Sequence, residues 1–305
     1  DYRPVLQAAS TAFLGQPAFE PGPWDDMSLW LGYGRSIVSS EQEPSTINHH
    51  PSTEFPGIIR SPKTHSWAYL RAAQFSGRPG HADQLHLDLW WRGLNIALDA
   101  GSYLYNAAPP WDNALTNAAV HNTLTLNDRD QMTRAGRFLY LDRADAQISR
   151  HEYADDGSWE RVSAQHNGYR RWGVFHKRTV TVHQDENWIV DDCLHPDTEA
   201  AQSELQTARI HWLLPDWDFE FDQEKGSIQL RSPKGIISLT VSGQPSAIEY
   251  FLARAGEALF GPDEADPTWG WVSPTYASKD PALSFSAVVK SAFPIEFPSQ
   301  WIFPE

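Results

Sequence analysis

The sequence predicts an all-β fold, a large antiparallel multi-stranded β-sandwich preceded by a short helical N-terminal segment. Three observations carry that expectation. From about Ser66 onward the chain is a succession of short apolar runs with period-two alternation, and long helical periods are absent. Turn chemistry separates the runs, as in Asp155-Asp156-Gly157, Glu224-Lys225-Gly226 and Ser232-Pro233-Lys234-Gly235. The composition, with 14 Trp, 14 Phe and 10 Tyr against 2 Met, suits pleated sheets better than a helix bundle. At 305 residues the chain is long enough to bury a substantial core.

Taken in order, Tyr2 to Leu14 reads as a short helix with Val5, Ala8, Ala9, Ala12 and Phe13 on one side, ended by Pro17, Pro21 and Pro23. Asp25 to Leu31 reads as a second short helix, and Ser39 to Pro62 as a loop-rich stretch containing His49-His50. Two such fragments cannot form a core alone. Residues 1–60 therefore read as the end of a helical region plus a linker, and residues 61–305 as the sandwich. The clearest strand runs are Trp67–Phe75, Leu85–Trp91, Leu94–Leu98, Thr123–Leu126 and Arg137–Leu141. Val174–Val182, Trp188–Val190, Arg209–Leu214, Ser227–Leu230, Ile236–Val241 and Leu283–Val289 follow.

The most informative stretch is Gly80 to Tyr103. Leu85, Leu87 and Leu89 alternate with His86, Asp88 and Trp90, Arg92-Gly93 supplies a reversal, and Leu94, Ile96 and Leu98 resume the alternation. Counted outward from a two-residue turn, the six aliphatic residues share one face, and Asp99 falls beside His86. His81, His86, Asp88 and Asp99 surround the open end of this hairpin, and His121 follows in Val120-His121-Asn122-Thr123. Imidazoles and carboxylates gathered there are candidate metal ligands. Ordinary hydrogen-bonded histidines at a sheet edge are the competing reading.

Composition excludes several function classes. A formal net charge of −15 with no Lys/Arg run argues against nucleic acid as a partner. No apolar run approaches a membrane span. One cysteine, Cys193, excludes an internal disulfide framework. A first residue other than Met reads as a mature or excised piece, so a missing targeting segment carries no information.

Other residue groups offer a functional and a structural reading. Trp90, Trp91, Trp111, Trp269 and Trp271 have faces that stack on sugar rings, yet packing is the commoner fate of sandwich tryptophans; Trp111, in a Pro-rich loop, is the candidate for sugar contact. Arg170 and Arg171 match a carboxylate fork, and a solvated sheet edge explains them equally well. Tyr103 and Tyr105 are candidate proton donors or amphipathic rim residues. His176, His183 and His211 read as structural or cleft-lining. The adjacent acids Asp155-Asp156 and Asp191-Asp192 point to opposite faces or sit in a turn, and do not make a two-carboxylate hydrolase.

Several motifs form an ordered series: His-Ala-Asp-Gln-Leu at 81–85, Asp-Ala-Gly-Ser-Tyr at 99–103, Pro-Pro-Trp-Asp-Asn at 109–113 and Val-His-Asn-Thr at 120–123. Phe-His-Lys-Arg at 175–178, Ile-His-Trp-Leu-Leu at 210–214 and Gly-Trp-Val-Ser-Pro-Thr-Tyr at 270–276 complete it. The series resembles the C-terminal β-sandwich portion of heparinase II/III-like polysaccharide lyases over roughly residues 66–290. The resemblance implies β-elimination on uronic-acid-containing glycans such as glycosaminoglycans. It implies an N-terminal (α/α) toroid domain, in the same or a partner chain, whose tail residues 1–60 would be. It also implies an acidic polysaccharide as substrate and secretion or periplasmic export. The toroid supplies most of the catalytic groups in such enzymes, so this chain alone is expected to be inactive. The resemblance places His81, Asp99 and His121 at a structural metal, most often zinc with calcium as an alternative, and Asp83 and Asn122 as hydrogen-bonding partners that orient the imidazoles. One position departs from the pattern. Where related lyases carry a catalytic His two residues before the metal-site His, this chain has Pro79, which cannot transfer a proton. The acid/base role then rests elsewhere, or the substrate or reaction differs. The alternative function is a non-catalytic carbohydrate-binding or assembly module.

Overall fold

The computed structural model describes residues 3–20, 22–25, 27–28, 57–63, 65–197, 205–243, 247–261 and 263–304. The chain divides into two compact units, Asp1–His50 and Pro51–Glu305. In the first, helix α1 spans Arg3–Leu14. Its closed side differs from the expected apolar face. Phe13 is 86% exposed and Val5 is also exposed, while Gln7 and Ala8 are buried. The Gln7 side chain accepts from the backbone N–H groups of Ala18 and Phe19 and donates to Asp25. A polar knot therefore closes the turn that follows the helix. The expected helix Asp25–Leu31 and loop Ser39–Pro62 lie largely outside the described residues.

The described residues of the second unit form strands, loops and short 3-10 turns. β1 (Ile58–Arg60), β2 (Ser66–Leu70), β3 (Leu87–Trp91) and β4 (Leu94–Ala97) form one antiparallel sheet in that order. The expected boundary between residues 60 and 61 falls inside this unit, because β1 pairs with β2. β5 (Leu124–Leu126) is followed by a small hairpin of β6 (Arg134–Gly136) and β7 (Leu139–Tyr140). A meander runs through β8 (Ala146–Tyr153), β9 (Trp159–His166), β10 (Val174–His183) and β11 (Asn187–Pro196). Next come β12 (Gln206–Pro215), β13 (Phe219–Asp222), β14 (Ser227–Ser232), β15 (Gly235–Val241), β16 (Ile248–Arg254) and β17 (Glu257–Phe260). β18 (Trp271–Thr275), β19 (Ser278–Ser291) and β20 (Ile295–Ile302) end the chain.

Among the described residues, an eight-stranded sheet has the order β13-β14-β15-β20-β11-β10-β9-β8. A second sheet has the order β17-β16-β19-β12-β5, with β18 paired to β19. One continuous core joins these to the β1–β4 sheet, so the molecule is the expected sandwich. Inward residues alternate as pleating demands: Val180 and Val182 on β10, Val190 and Leu194 on β11, Phe285, Ala287 and Val289 on β19 are all fully buried. Trp212 of β12 meets Trp301 of β20 edge-on, with ring centroids 5.3 Å apart, so indole packing clamps one sheet to the other.

Candidate metal centre

Two connections, β2–β3 and the long β4–β5, converge at the open end of the β3–β4 hairpin. His81 lies on the connection between β2 and β3, Asp99 follows β4, and His121 ends the short 3-10 turn Ala118–Val120 ahead of β5. Ala82 N–H donates to Thr116 O at 2.8 Å, which ties the two connections together. Ala118 N–H donates to Asp130 Oδ1 at 2.6 Å and holds the start of the turn. Gly101 N–H donates to Asp99 Oδ1 at 2.7 Å, with Gly101 in the left-handed region at φ +73°. A Cβ at Gly101 would stand 2.3 Å from Ser273 O, so glycine alone fits this close approach.

The outcome is a cluster in which ligand atoms of His81, Asp99 and His121 all lie within 4.8 Å of one another. His81 Nδ1 and His121 Nε2 are 3.2 Å apart, and His81 Nε2 is 3.2 Å from Ser102 Oγ. His121 is fully buried, and its Nδ1 has no hydrogen-bond partner. Asp99 leaves 46% of its side chain exposed and forms the open side. Two imidazole nitrogens at this separation share either a proton or a cation. Around a tetrahedral zinc with Zn–N distances of about 2.0–2.1 Å, two nitrogens stand about 3.3 Å apart, so the donors and their spacing fit. Burial and the neighbouring His121 both lower the His81 pKa, which keeps its ring neutral and its lone pair available. Burial works against the Asp99 carboxylate, but His121, His86, the Gly101 N–H and His81 outweigh it and hold the group well below the usual range.

His86 stands beside this cluster, as the turn count places it, with Nε2 3.7 Å from Asp99 Oδ2. Asn122 N–H donates to His86 Nδ1 at 3.0 Å. The proton of a neutral His86 ring therefore sits on Nε2, which has no hydrogen-bond partner among the described residues, and His86 lies beside the three-residue cluster rather than in it. Burial lowers the His86 pKa to about 4 and keeps the ring neutral. The hydrogen-bonding partners expected for the imidazoles differ from those found. Asp83 accepts from Arg71 Nε at 2.7 Å. The Asn122 side chain donates to Leu87 O and Leu98 O, both at 2.9 Å, and accepts from Leu213 N–H at 2.6 Å. Asn122 is thus a hub between the hairpin and β12, which sequence reading did not single out for that role.

A buried polar chain reaches this hub from the eight-stranded sheet. Gly168 N–H donates to His166 Nδ1 at 2.9 Å, so His166 carries its proton on Nε2 and donates to His176 Nδ1 at 3.0 Å. His176 Nε2–H then donates to Asp192 Oδ1 at 2.6 Å. Arg178 grips both Asp192 oxygens, at 2.8 and 2.9 Å, and its Nη1 donates to Leu85 O and Asn122 O at 2.6 Å each. Leu85 is itself in the left-handed region at φ 58°, so the guanidinium pins the strained entry to β3 as well as the hub. Burial lowers the pKa of His166 and of His176, the latter against the pull of Asp192. The unfolded chain takes up these protons below about 6.5 and the folded chain does not. Stability is therefore present above that pH and lost as pH falls, with an upper limit of about 1.4 kcal/mol per pH unit for a ring that stays neutral in the fold. Urea midpoints measured from pH 7.5 down to pH 5 are expected to fall steadily; a flat profile would show the two rings protonated in the fold.

The remaining candidates separate into two groups. Tyr103, Tyr105 and Trp111 lie on the surface that continues from Asp99: Tyr103 packs edge-on against Trp111 with centroids 5.2 Å apart, and Tyr105 is exposed. Arg171 and Arg170 are exposed on a 3-10 turn before β10, where Arg171 bonds Asp142 and Thr133 and covers Trp172. Arg171 is thus already matched to a carboxylate. His211 is buried, bonding His121 O and Ser284 Oγ, each at 2.9 Å, and so also fixes the backbone of His121.

An all-β sandwich with a two-imidazole, one-carboxylate cluster at a hairpin end defines the class of scaffold. The chain belongs to the Heparinase II/III-like, C-terminal family, whose profile matches residues 57–296. No curated protein sequence matches the chain. Among solved structures it is similar to the heparinase III BT4657 gene product, with TM-score 0.60 and 16% identity over 78% of this chain and 32% of that one. Heparan sulfate lyase HepC from Pedobacter heparinus gives TM-score 0.59 and 17% identity over 78% and 33%. Another heparinase III structure gives TM-score 0.62 and 13% identity over 81% and 35%. At such identities the likeness shows the fold, and the chain spans about a third of the length of those structures.

Proposed function

We propose that this sandwich forms one wall of the cleft of a polysaccharide lyase that cleaves uronic-acid-containing glycans by β-elimination. The observation that carries the reading is the convergence of His81, Asp99 and His121 within a sandwich of this family. Elimination needs the uronate carboxylate neutralised, a base for the proton at carbon five and an acid for the leaving oxygen. Most of that apparatus is assigned to a helical toroid domain, of which residues 1–60 would be the tail. On the sandwich side, Tyr105 offers an exposed phenol, Tyr103 is packed against Trp111, and Pro79, buried ahead of His81, offers no proton. His81, Asp99 and His121 would hold zinc, which when bound supplies a positive charge bracing three chain segments rather than an activated water. Two nitrogen donors favour zinc over calcium, which prefers an all-oxygen shell. The buried Pro79 equally suits the second reading, a carbohydrate-binding module without elimination chemistry. Export from the cytoplasm follows from a polymeric substrate.

Elemental analysis of protein purified without added metal is expected to find about one zinc per chain, and His121→Ala to lose the ion and melt at lower temperature. Retention of stoichiometric metal in His121→Ala would remove His121 from the ligand set. The 305-residue chain is expected to be retarded in gels containing alginate while releasing no unsaturated uronate, read by ultraviolet absorbance. Product release by this chain alone would place the catalytic groups within it. Zinc-free protein that no acidic glycan retards would end the proposal.

A further inference from the structure

The segment that carries Asp99 runs directly into an aromatic surface. Ser273 N–H donates to Ala100 O at 2.8 Å, Tyr103 N–H donates to Ser273 Oγ at 3.0 Å, and Ala277 N–H donates to Tyr103 O at 2.8 Å. The β18–β19 hairpin is thereby fastened along residues 100–103, next to the Ser102 hydroxyl that meets His81. Trp111 packs edge-on against both Tyr103 and Trp271, with centroids 5.2 and 6.0 Å apart. Tyr105 touches Tyr276 and Phe138, and these three rings are 42%, 54% and 53% exposed. Rings left open in a contiguous group mark a contact surface rather than packing residue by residue.

Lys279 stands among the first three of these rings, Trp271, Trp111 and Tyr103. Its Nζ lies 2.9 Å from the ring centroid of Trp271, 4.1 Å from that of Trp111 and 5.7 Å from that of Tyr103. Among the described residues no carboxylate and no hydrogen-bond acceptor is paired with it. The neighbouring cations differ, since Arg134 and Arg137 both bond Asp112, the residue after Trp111. Ring faces attract an ammonium but leave its hydrogen-bond donors unsatisfied. Partial burial lowers the Lys279 pKa, so its charge is held at some expense. In a chain of net charge −15, a cation framed by π faces and lacking an internal counter-ion is complementary to an external anion that also presents a flat apolar face.

We propose that Lys279, framed by Trp271, Trp111 and Tyr103, is the anion-anchoring residue of a glycan-binding surface and takes a sugar bearing a carboxylate or a sulfate. The sugar ring stacks on the exposed aromatics, and its anionic group meets the ammonium. The proposal rests on the reading of this chain as the glycan-facing part of a lyase, and it adds a residue that this reading does not contain.

The test is affinity electrophoresis of the 305-residue chain through gels containing alginate, dextran sulfate or dextran, with Lys279→Gln, Lys279→Arg and Trp111→Ala beside the parent. Lys279→Gln is expected to lose at least about tenfold in affinity for whichever anionic polymer retards the parent, with an unchanged melting temperature. Lys279→Arg is expected to keep most of the affinity, and Trp111→Ala to lose it. Retardation by alginate identifies the carboxylate as the anion, and retardation by dextran sulfate identifies the sulfate. Dextran is expected to retard none of the proteins. A Lys279→Gln variant that binds like the parent overturns this inference and leaves the lyase reading intact. A parent that neither anionic polymer retards overturns this inference, and the lyase reading with it where the protein also carries no zinc. If Lys279→Gln leaves retardation unchanged but dissociates a dimer seen by light scattering, the surface is a self-association face and the inference fails.

Discussion

Replacing Arg178 with alanine is expected to destabilise the protein by about 3–5 kcal/mol, the usual result of stranding one member of a buried ion pair. Both Arg178 and Asp192 are fully buried, and burial alone would push the Asp192 carboxyl up; Arg178 and His176 reverse that and hold it below its ordinary value. Without the guanidinium, Asp192 keeps only His176 among these partners, and the carbonyls of Leu85 and Asn122 lose a shared donor. For a domain of this size each kcal/mol lowers the melting temperature by about 2–4 °C, so the loss is of order 10 °C. Equilibrium unfolding in urea measures it directly. Removing both charges, as Arg178→Met with Asp192→Leu, is expected to hurt less than the two single changes summed, because no uncompensated charge stays behind. A single variant that unfolds with less than about 1 kcal/mol of loss would mean that water reaches the pair.

Trp212→Ala is expected to have a loss of similar size, about 3–5 kcal/mol for a large buried aromatic. The ring is fully buried between the sheets, its Nε1–H donates to Ser299 Oγ at 3.1 Å, and the Arg178 guanidinium lies 5.4 Å from its centroid. Truncation opens a cavity against Trp301 and removes the apolar wall of the buried ion pair. Its effect should therefore not simply add to that of Arg178→Ala, and a double-mutant cycle on urea midpoints reads the coupling. Trp212→Phe should recover much of the packing while losing the bond to Ser299. If Trp212→Ala proves nearly neutral, the two sheets are held together chiefly elsewhere in the core.

Strands whose apolar residues alternate cleanly were legible from residue types alone. β3, β4, β10, β12 and β15 fall close to their expected runs, because one buried face imposes period two, and β19 extends the expected Leu283–Val289 at both ends to Ser278–Ser291. β8 and β9 are not: on β8, the edge strand, Arg150 and Glu152 follow Ala146 and Ile148 in the alternating row, and on β9 the buried Glu160 precedes Val162 and Ala164 in theirs. β20 contains Pro298, which argues against a strand with neighbours on both sides. The structure accommodates it where the β15 pairing ends, at Val241 opposite Ser299. In place of the single run expected over Arg137–Leu141 stands the short hairpin of β6 and β7, with Arg134 opposite Tyr140.

The candidate site shows the same division. Turn counting puts Asp99 next to His86, and the two are close; a bulge between Leu89 and Trp90 shifts the register so that Leu89 faces Ala97. His81 and His121 come from irregular loops, where no periodicity reports which way a side chain points. Their convergence with Asp99 was legible only through the ordered motif series. Lys279 carries no local signal in Ser278-Lys279-Asp280-Pro281, because the rings around it arrive from β18 and from the loops after β4.

The run from Gly168 through His166, His176 and Asp192 to Arg178 has a direction, since each ring can offer only one proton and one lone pair. A lone exchange at any link would strand a buried donor or acceptor of its neighbour. These four side chains are therefore heritable as a set: drift across β9, β10 and β11 has to proceed in concerted steps, and descendants should carry either the entire relay or a wholly apolar substitute.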